Sequence, residues 1–208
     1  MRIAPAQFYT PRRALLRLHR DLFQISLRIR APIKPRRLSD FEIMVLVLED
    51  RRFFRHAGVD FISCLRELVR AASFRRFGGA STIDMQLVRT ATGYRKYTLR
   101  RKLYEMLLAW IIQFRYTKFE ILESYLDCAY FGSGIFGQTA ATSRIYGKPP
   151  SDLSLVESAE LASMLVYPRP LQPSPQWSAK LRRRADYAKR LYPGLKQRFE
   201  KLPSSETV

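Results

Sequence analysis

Apolar residues recur at spacings of three and four along much of this chain, and that period limits its fold more than any other feature. The clearest example runs from Thr98 to Phe114, with apolar side chains at Leu99, Leu103, Met106, Leu107, Trp110 and Ile111. Arg101, Lys102 and Glu105 fall on a different face of the same helix. The spacing is typical of α-helices, whereas the alternation that indicates β-strands is sparse. The sequence predicts a mainly α fold with little β structure.

Capping residues, prolines and glycines divide the chain into further helices. Ser39 or Asp40, followed by Glu42 and a wholly apolar run, predicts a buried helix that ends near Glu49. Other helices are predicted over 82–89, 118–126, 155–166 and 178–191. Prolines make 32–35 and 168–175 extended, and loops are expected over 75–81 and 131–137.

Charge is the most unusual feature of the composition. The 208 residues include 37 Lys and Arg against 18 Asp and Glu, a net charge of +19. An anionic partner is therefore expected, and nucleic acid, an anionic bilayer and a phosphorylated substrate all satisfy that condition. No module or aromatic platform typical of nucleic-acid binding accompanies the charge, so we expect no nucleic-acid partner.

Residues 1–37 carry ten Arg or Lys with apolar residues between them. Such a basic amphipathic segment either lies in the lipid headgroup region or packs on the domain as an ordinary helix, and the residues leave both open. No run reaches the roughly 20 apolar residues that a membrane span requires, so membrane contact is expected to be peripheral. Cys64 and Cys128 have no metal-site or disulfide spacing and are expected to be free thiols.

The segment from Glu49 to Asp60 combines acids, an imidazole and cations at the end of an apolar helix. A carboxylate leaving such a helix is partly desolvated, which raises its pKa and suits a general base near neutrality. Glu49 is the candidate. Taken alone, such residues are more often a charged helix end followed by a turn.

Several segments in one order make the pattern specific, because together they resemble the family-51 glycosyltransferases, the peptidoglycan transglycosylase domains of monofunctional enzymes and bifunctional penicillin-binding proteins. The segments are Glu49-Asp50-x-x-Phe53-x-x-His56-x-Gly58, then 79–89, Arg101-Lys102-x-x-Glu105, 118–126 with 130–132, and the basic run Arg182-Arg183-Arg184.

The resemblance implies a lysozyme-like, two-lobed domain over residues 38–192, preceded by the basic segment 1–37 and followed by a tail, 193–208. It implies polymerisation of a lipid-diphosphate-linked disaccharide, lipid II or a related polyprenyl-diphosphate sugar, with release of polyprenyl diphosphate. Glu49 would take the proton of the acceptor 4-hydroxyl, and Glu105 would be the second catalytic carboxylate. Glu105 would orient cations or bind a divalent metal, Mg or Mn, that bridges the diphosphate.

The predicted substrate-binding residues are Asp50, Phe53, His56, Ser81, Thr82, Gln86, Arg89, Arg101, Lys102, Lys118 and Arg183. Held cations would lower the barrier to departure of the diphosphate. For each cation a solvated surface role is an alternative, as helix capping is for Ser81 and Thr82 and a structural hydrogen bond for His56.

The segment 79–89 departs from the family pattern at Asp84, where Thr is usual, and at Met85, where Gln is usual. Asp84 would repel a diphosphate unless a cation lies between them. The alternatives to an active polymerase are a member that only binds lipid-linked glycan or scaffolds a cell-wall complex, and a glycan hydrolase with paired carboxylates. Expected partners are the lipid-linked sugar, an anionic membrane surface and cell-wall synthesis proteins. The expected location is peripheral, at a bacterial inner membrane, on a side that the sequence does not determine.

Overall fold

The computed structural model describes residues 10–29, 36–72, 81–94 and 98–201, with the side chains of residues 68 and 70–72 left aside. The extended segment predicted at 32–35, most of the predicted loop 75–81 and the end of the predicted tail lie outside the described residues.

The described part of the chain is mainly helical, which confirms the predicted fold class. Its α-helices are α1 (Pro11–Ser26), α2 (Asp40–Glu49), α3 (Phe61–Ala72), α4 (Ile83–Thr92), α5 (Leu99–Ile112), α6 (Lys118–Cys128), α7 (Gln138–Tyr146), α8 (Leu155–Met164) and α9 (Pro175–Glu200). Short 3₁₀ segments occur at Phe53–Arg55 and Pro150–Asp152. A two-stranded antiparallel sheet joins β1 (Tyr130–Gly132) to β2 (Ile135–Phe136) where a loop was predicted.

Side-chain caps explain where the main helices begin. Ser39, Thr117 and Ser154 each accept a hydrogen bond from the backbone three residues later, and a glutamate at that later position returns one. These reciprocal bonds satisfy backbone donors that would otherwise lack partners. The predicted starts of α2 and α6 are therefore confirmed to within a residue.

Helix α2 forms the centre of the core. All of its residues from Phe41 to Val47 are buried, and it packs against α8 and α9. A helix that is apolar on every side is stable only when surrounded by protein. This packing holds the end of α2, with Glu49, against the rest of the domain.

The apolar period of α5 does not show which face of this helix is buried. Its buried positions include Glu105, Leu108 and Ile112, whereas a row of apolar side chains faces outward: Leu99, Leu103, Leu107 and Trp110, followed by Phe114 beyond the helix end. The inner face is the one that carries Glu105, because that carboxylate meets cations from α4 and from α5 itself.

Helix α1 has features of both interpretations of the basic segment, because one face packs on the domain and the other is exposed. One face packs on α4 and buries Asp21 and Ile25. Asp21 is fully buried and accepts hydrogen bonds from the hydroxyls of Tyr94 and Tyr104, at 2.6 and 3.0 Å. The opposite face exposes Leu15, Leu16, Phe23 and Leu27. Among the described residues, none of the helices combines the length and hydrophobicity that crossing a bilayer demands.

Helix α9 is longer than predicted. The sequence predicted an end near Leu191, yet the helix continues to Glu200 with Pro193 inside it. Its last turns are held by tertiary contacts: Leu195 and Phe199 pack on the core, and Lys196 Nζ lies 3.2 Å from Asp40 Oδ1. Those contacts offset the backbone hydrogen bond that the proline removes.

Candidate active site

Glu49 lies at the last residue of α2 and lines a cavity of about 470 Å³ together with Asp50, Ser81 and Thr82. Burial raises the pKa of the Glu49 carboxyl above its ordinary value, the hydrogen bond from Gln86 and the charge of Arg184 oppose this, and the neighbouring Asp50 adds to it. A carboxylate with a raised pKa beside open space has the properties of a general base.

Two hydrogen bonds hold the end of α2, one to the Glu49 side chain and one to the backbone before it. Gln86, on α4, donates from Nε2 to Glu49 Oε2 over 2.8 Å. Arg184, on α9, donates to the carbonyl oxygen of Leu48 over 3.2 Å. The predicted substrate contact Gln86 therefore bonds directly to the predicted base.

A second group of charges surrounds Glu105, which is fully buried. Arg89 spans both carboxylate oxygens at 3.2 and 3.3 Å, and Arg101 lies 2.5 Å from Oε1. Two guanidinium groups thus share one carboxylate. This leaves local positive charge, as a phosphate site requires.

Lys102 extends the positive group toward the cavity. Its Nζ lies 2.7 Å from Ser81 Oγ, and Ser81 lines the cavity with Glu49. Burial lowers the pKa of the Lys102 ammonium, and so do the charges of Arg89 and Arg101, whereas Glu105 opposes the shift. Repulsion among these cations means that an arriving anion would be stabilised.

Asp50, Phe53 and His56 lie in a buried framework beside the cavity. Asp50 Oδ2 accepts from His56 Nε2 at 2.9 Å and from the backbone of Ile83 at 3.2 Å, which ties the end of α2 to the start of α4. Phe53 is fully buried. Thr82 donates to the Gly58 carbonyl oxygen and accepts from the Met85 backbone as the cap of α4, so the capping alternative for Thr82 holds.

Lys118 lies apart from the cations around Glu105. Its ammonium bonds both oxygens of Asp84 at 3.1 and 3.2 Å and lies 4.4 Å from the centre of the Phe53 ring. Gln113 also donates to Asp84. The unusual Asp84 is therefore buried beside a cation of its own, and Met85 is buried as well. Neither departure from the family pattern adds a charge to the cavity.

The carboxylates do not fit a divalent ion in this arrangement. Ligand atoms of Asp50, His56 and Asp84 lie within 4.8 Å of one another, but the Lys118 ammonium already bonds Asp84. Both oxygens of Glu105 face guanidinium groups. A metal ion on either group would have to displace a protein cation.

Arg184 and Tyr125 were not among the predicted site residues. Arg183 was predicted in the basic run, but its side chain is exposed, whereas its neighbour Arg184 is half-buried and acts on Glu49. A helical period could have revealed this, because Arg184 lies three residues after the buried Leu181 and four before the buried Ala188. Tyr125 lies in the segment 118–126 but was not chosen as a site residue; it donates to Gln86 Oε1 over 2.8 Å, a contact between helices that are far apart in sequence.

Comparisons with known proteins agree with the ordered segments. The Transglycosylase family model matches residues 28–192. A protein of Cupriavidus necator, provisionally named a transglycosylase, is 42% identical over 120 residues, 58% of this chain and 52% of that protein. Penicillin-binding protein 1A of Rickettsia felis is 34% identical over 146 residues, 68% of this chain and 18% of that protein.

Penicillin-binding protein 2a of Streptococcus pneumoniae is 36% identical over 129 residues, 62% of this chain and 17% of that protein. The match to this chain spans about half the length of the Cupriavidus protein and less than a fifth of the penicillin-binding proteins. The matched region contains Glu49, Gln86, Glu105 and Arg184, and the family model covers most of the chain. This chain belongs to the transglycosylase family.

Proposed function

We propose that the protein is a peptidoglycan glycosyltransferase that polymerises a lipid-diphosphate-linked disaccharide, lipid II or a related polyprenyl-diphosphate sugar. One observation carries the proposal. The desolvated carboxylate of Glu49 shares a cavity with Ser81, and Ser81 bonds Lys102 of the cation group around Glu105. A base that lines a cavity, with a cation group bonded to another residue of the same lining, suits a transfer that deprotonates an alcohol and expels a diphosphate.

In the proposed reaction Glu49 takes the proton of the acceptor 4-hydroxyl while the hydroxyl oxygen attacks the anomeric carbon of the growing chain. The bond from that carbon to the diphosphate oxygen breaks, and polyprenyl diphosphate leaves with both bonding electrons. Arg89, Arg101 and Lys102 stabilise the negative charge that develops on it. Glu105 keeps the two arginines in position. A neutral-glycan hydrolase would have no use for this cation group.

No step of this reaction passes through a protein-bound divalent cation, because the carboxylates of Glu105 and Asp84 already contact protein cations. Mg²⁺ or Mn²⁺ would enter with the substrate diphosphate. The phosphate oxygens of the substrate are ligands that these hard ions prefer.

The protein is also proposed to bind peripherally to an anionic membrane, where its lipid-linked substrate resides. Helices α1, α3 and α5 each expose rows of large apolar side chains, among them Leu16, Phe61 and Leu103. The chain as a whole carries a net charge of +19. Apolar rows on a basic protein are typical of interfacial binding to anionic lipid.

The proposed activity is tested by incubating the purified protein with lipid II and Mg²⁺ or Mn²⁺ and separating the products by size. Polymer that disappears on addition of the transglycosylase inhibitor moenomycin is the expected result. Saturable binding of lipid II without polymer would instead support a binding or scaffolding member of the family.

A further inference from the structure

A chain of two hydrogen bonds leads from Glu49 into the interior of the domain. Gln86 Nε2 donates to Glu49 Oε2 over 2.8 Å, and Tyr125 Oη donates to Gln86 Oε1 over 2.8 Å. The three residues belong to α2, α4 and α6, and Tyr125 is only 4% exposed. The connection therefore depends on the packing of three helices.

The direction of both bonds follows from the chemistry of the groups. An ionised carboxylate only accepts hydrogen bonds, so the Gln86 amide must turn its NH₂ group toward Glu49. Its carbonyl oxygen then faces Tyr125, whose hydroxyl must donate. Burial and the charge of Glu49 raise the pKa of Tyr125 well above 10, so that the phenol keeps its proton.

We infer that Tyr125 is a positioning residue that fixes the amide of Gln86 and thereby keeps Glu49 ionised and oriented toward the cavity. The catalytic part of this inference rests on the proposed function of Glu49. Tyr125 is not one of the residues that line the cavity, and its hydroxyl bonds Gln86 rather than Glu49, so it acts through Gln86.

Removing the Tyr125 hydroxyl leaves the partly buried carbonyl oxygen of the Gln86 side chain without its donor. The amide then keeps its present orientation only through its bond to Glu49, and that bond weakens because donation to an amide oxygen strengthens the amide N–H as a donor. A flipped amide would place an oxygen against the carboxylate. Both changes favour protonated Glu49.

The other charges at Glu49 act independently of Tyr125. Arg184, on α9, lowers the pKa of Glu49, and the adjacent Asp50 raises it. Tyr125 is also affected by Cys128 on its own helix and by Arg89 on α4. Removing only the hydroxyl of Tyr125 leaves all four groups in place, so any change in the pKa of Glu49 reports on the two hydrogen bonds through Gln86.

The test is Tyr125→Phe, which keeps the ring and its packing. Two quantities are measured: the pKa of Glu49, by NMR titration of its side-chain carboxyl carbon in the full chain, and the pH dependence of kcat and KM with lipid II. We expect the pKa of Glu49 to rise by roughly half a unit to one unit. The acid limb of kcat should move by the same amount, with KM little changed.

Tyr146→Phe is the matched control, because Tyr146 is a partly buried tyrosine whose hydroxyl donates to the Glu157 carbonyl oxygen on α8. It should leave the pKa of Glu49 and the acid limb where they are. Gln86→Met removes the link itself. It should raise the pKa of Glu49 at least as far, and adding Tyr125→Phe to it should cause no further rise.

An unchanged pKa of Glu49 in Tyr125→Phe would overturn the inference. So would a rise in that pKa on Tyr125→Phe that is as large in the Gln86→Met background as in the parent. If Tyr125→Phe fails to fold, an unchanged pKa in Gln86→Met alone overturns it. The NMR titration needs no turnover. If the parent protein makes no polymer but the pKa of Glu49 still rises in Tyr125→Phe, the proposed function is refuted and the positioning role of Tyr125 stands.

Discussion

At the scale of single residues, the environment of Glu49 makes its ionisation the quantity that controls the proposed activity. Burial raises the pKa of this carboxyl, and Arg184 partly reverses the rise. A general base works only when ionised, so the rate should fall as the pH drops through the pKa of Glu49, which lies above the 4.5 that is ordinary for glutamate.

Arg184→Met should move this acid limb to higher pH, by roughly half a unit or more, because it removes a positive charge that favours ionised Glu49. Polymerisation rates measured across a pH series provide the test. Arg183→Met, one residue away at an exposed position, should leave the limb in place. The opposite pattern would mean that Arg183, as the sequence predicted, is the cation that serves the site.

The buried pair of Lys118 and Asp84 should matter for stability. Both side chains are at least nine-tenths buried, and their charged atoms lie 3.1 Å apart. Lys118→Met leaves Asp84 without its ammonium partner and should cost about 3–5 kcal/mol of unfolding free energy in urea titrations. Adding Asp84→Leu should recover much of that loss. A Lys118→Met protein as stable as the parent would indicate that Lys118 serves the substrate instead.

The candidate site residues were predicted from segments that occur in one order along the chain. Glu49, Gln86, Arg89, Lys102 and Glu105 were all chosen from ordered segments, and the structure brings them into two linked groups. Lys118 was also predicted from one of these segments, but its ammonium group forms an ion pair with Asp84. Which charge meets which depends on the packing of distant helices, so neither this pairing nor the Tyr125 contact could be derived from spacing.

At the scale of elements, one glycine fixes how the segment after α2 meets α5. Gly58 has φ +78°, and a Cβ built there would lie 2.1 Å from the carbonyl oxygen of Ala109. The Gly58 carbonyl also accepts from Thr82 at the start of α4. Three elements therefore meet at a residue without a side chain.

Gly58→Ala should destabilise the protein by about 2–4 kcal/mol, since it adds both backbone strain and a clash with main-chain atoms. Gly93→Ala is the matched control. Gly93 has φ +67° but nothing within 4 Å of the added Cβ, so only the strain of about 1–2 kcal/mol applies. Thermal unfolding of the two variants gives the comparison, and equal losses would contradict the close approach.

Helix starts were predictable because caps are local, and helix faces and ends were less so. Ser39 and Thr117 begin helices through bonds to residues three positions away. The end of α9 instead depends on contacts of Leu195 and Phe199 with the core, which override Pro193. Helices α3 and α7 were not predicted. The period of α3 is in fact clear in the sequence, because Phe61, Leu65 and Val69 recur at four-residue spacing with polar residues between them, so this helix could have been predicted.

At the scale of the whole molecule, the excess of positive charge coexists with exposed apolar rows on α1, α3 and α5. Helix α1 precedes the family-matched residues, yet Asp21 joins it to Tyr104 of α5 through a buried hydrogen bond. The described helix of the basic segment thus packs on the domain with one face and exposes apolar side chains on the other.

Membrane binding should depend on that outer surface. Replacing Leu103 and Leu107 of α5 by Gln should weaken binding to vesicles with anionic lipid by roughly tenfold or more, because two exposed leucines lose their apolar contact with the bilayer. Vesicle sedimentation at low and high salt measures the effect. Leu171→Gln, at an exposed leucine outside these helices, should bind like the parent. Equal binding by all three proteins would exclude the α5 surface.

The most direct test of the account is the rate of polymer formation from lipid II by Glu49→Gln, compared with Glu200→Gln at an exposed position of α9. Glu49→Gln should lose at least about a hundredfold in rate while it still binds lipid II and unfolds at or above the temperature of the parent. Glu200→Gln should keep the parental rate. A Glu49→Gln protein that polymerises at the parental rate would contradict the role of Glu49 as the base.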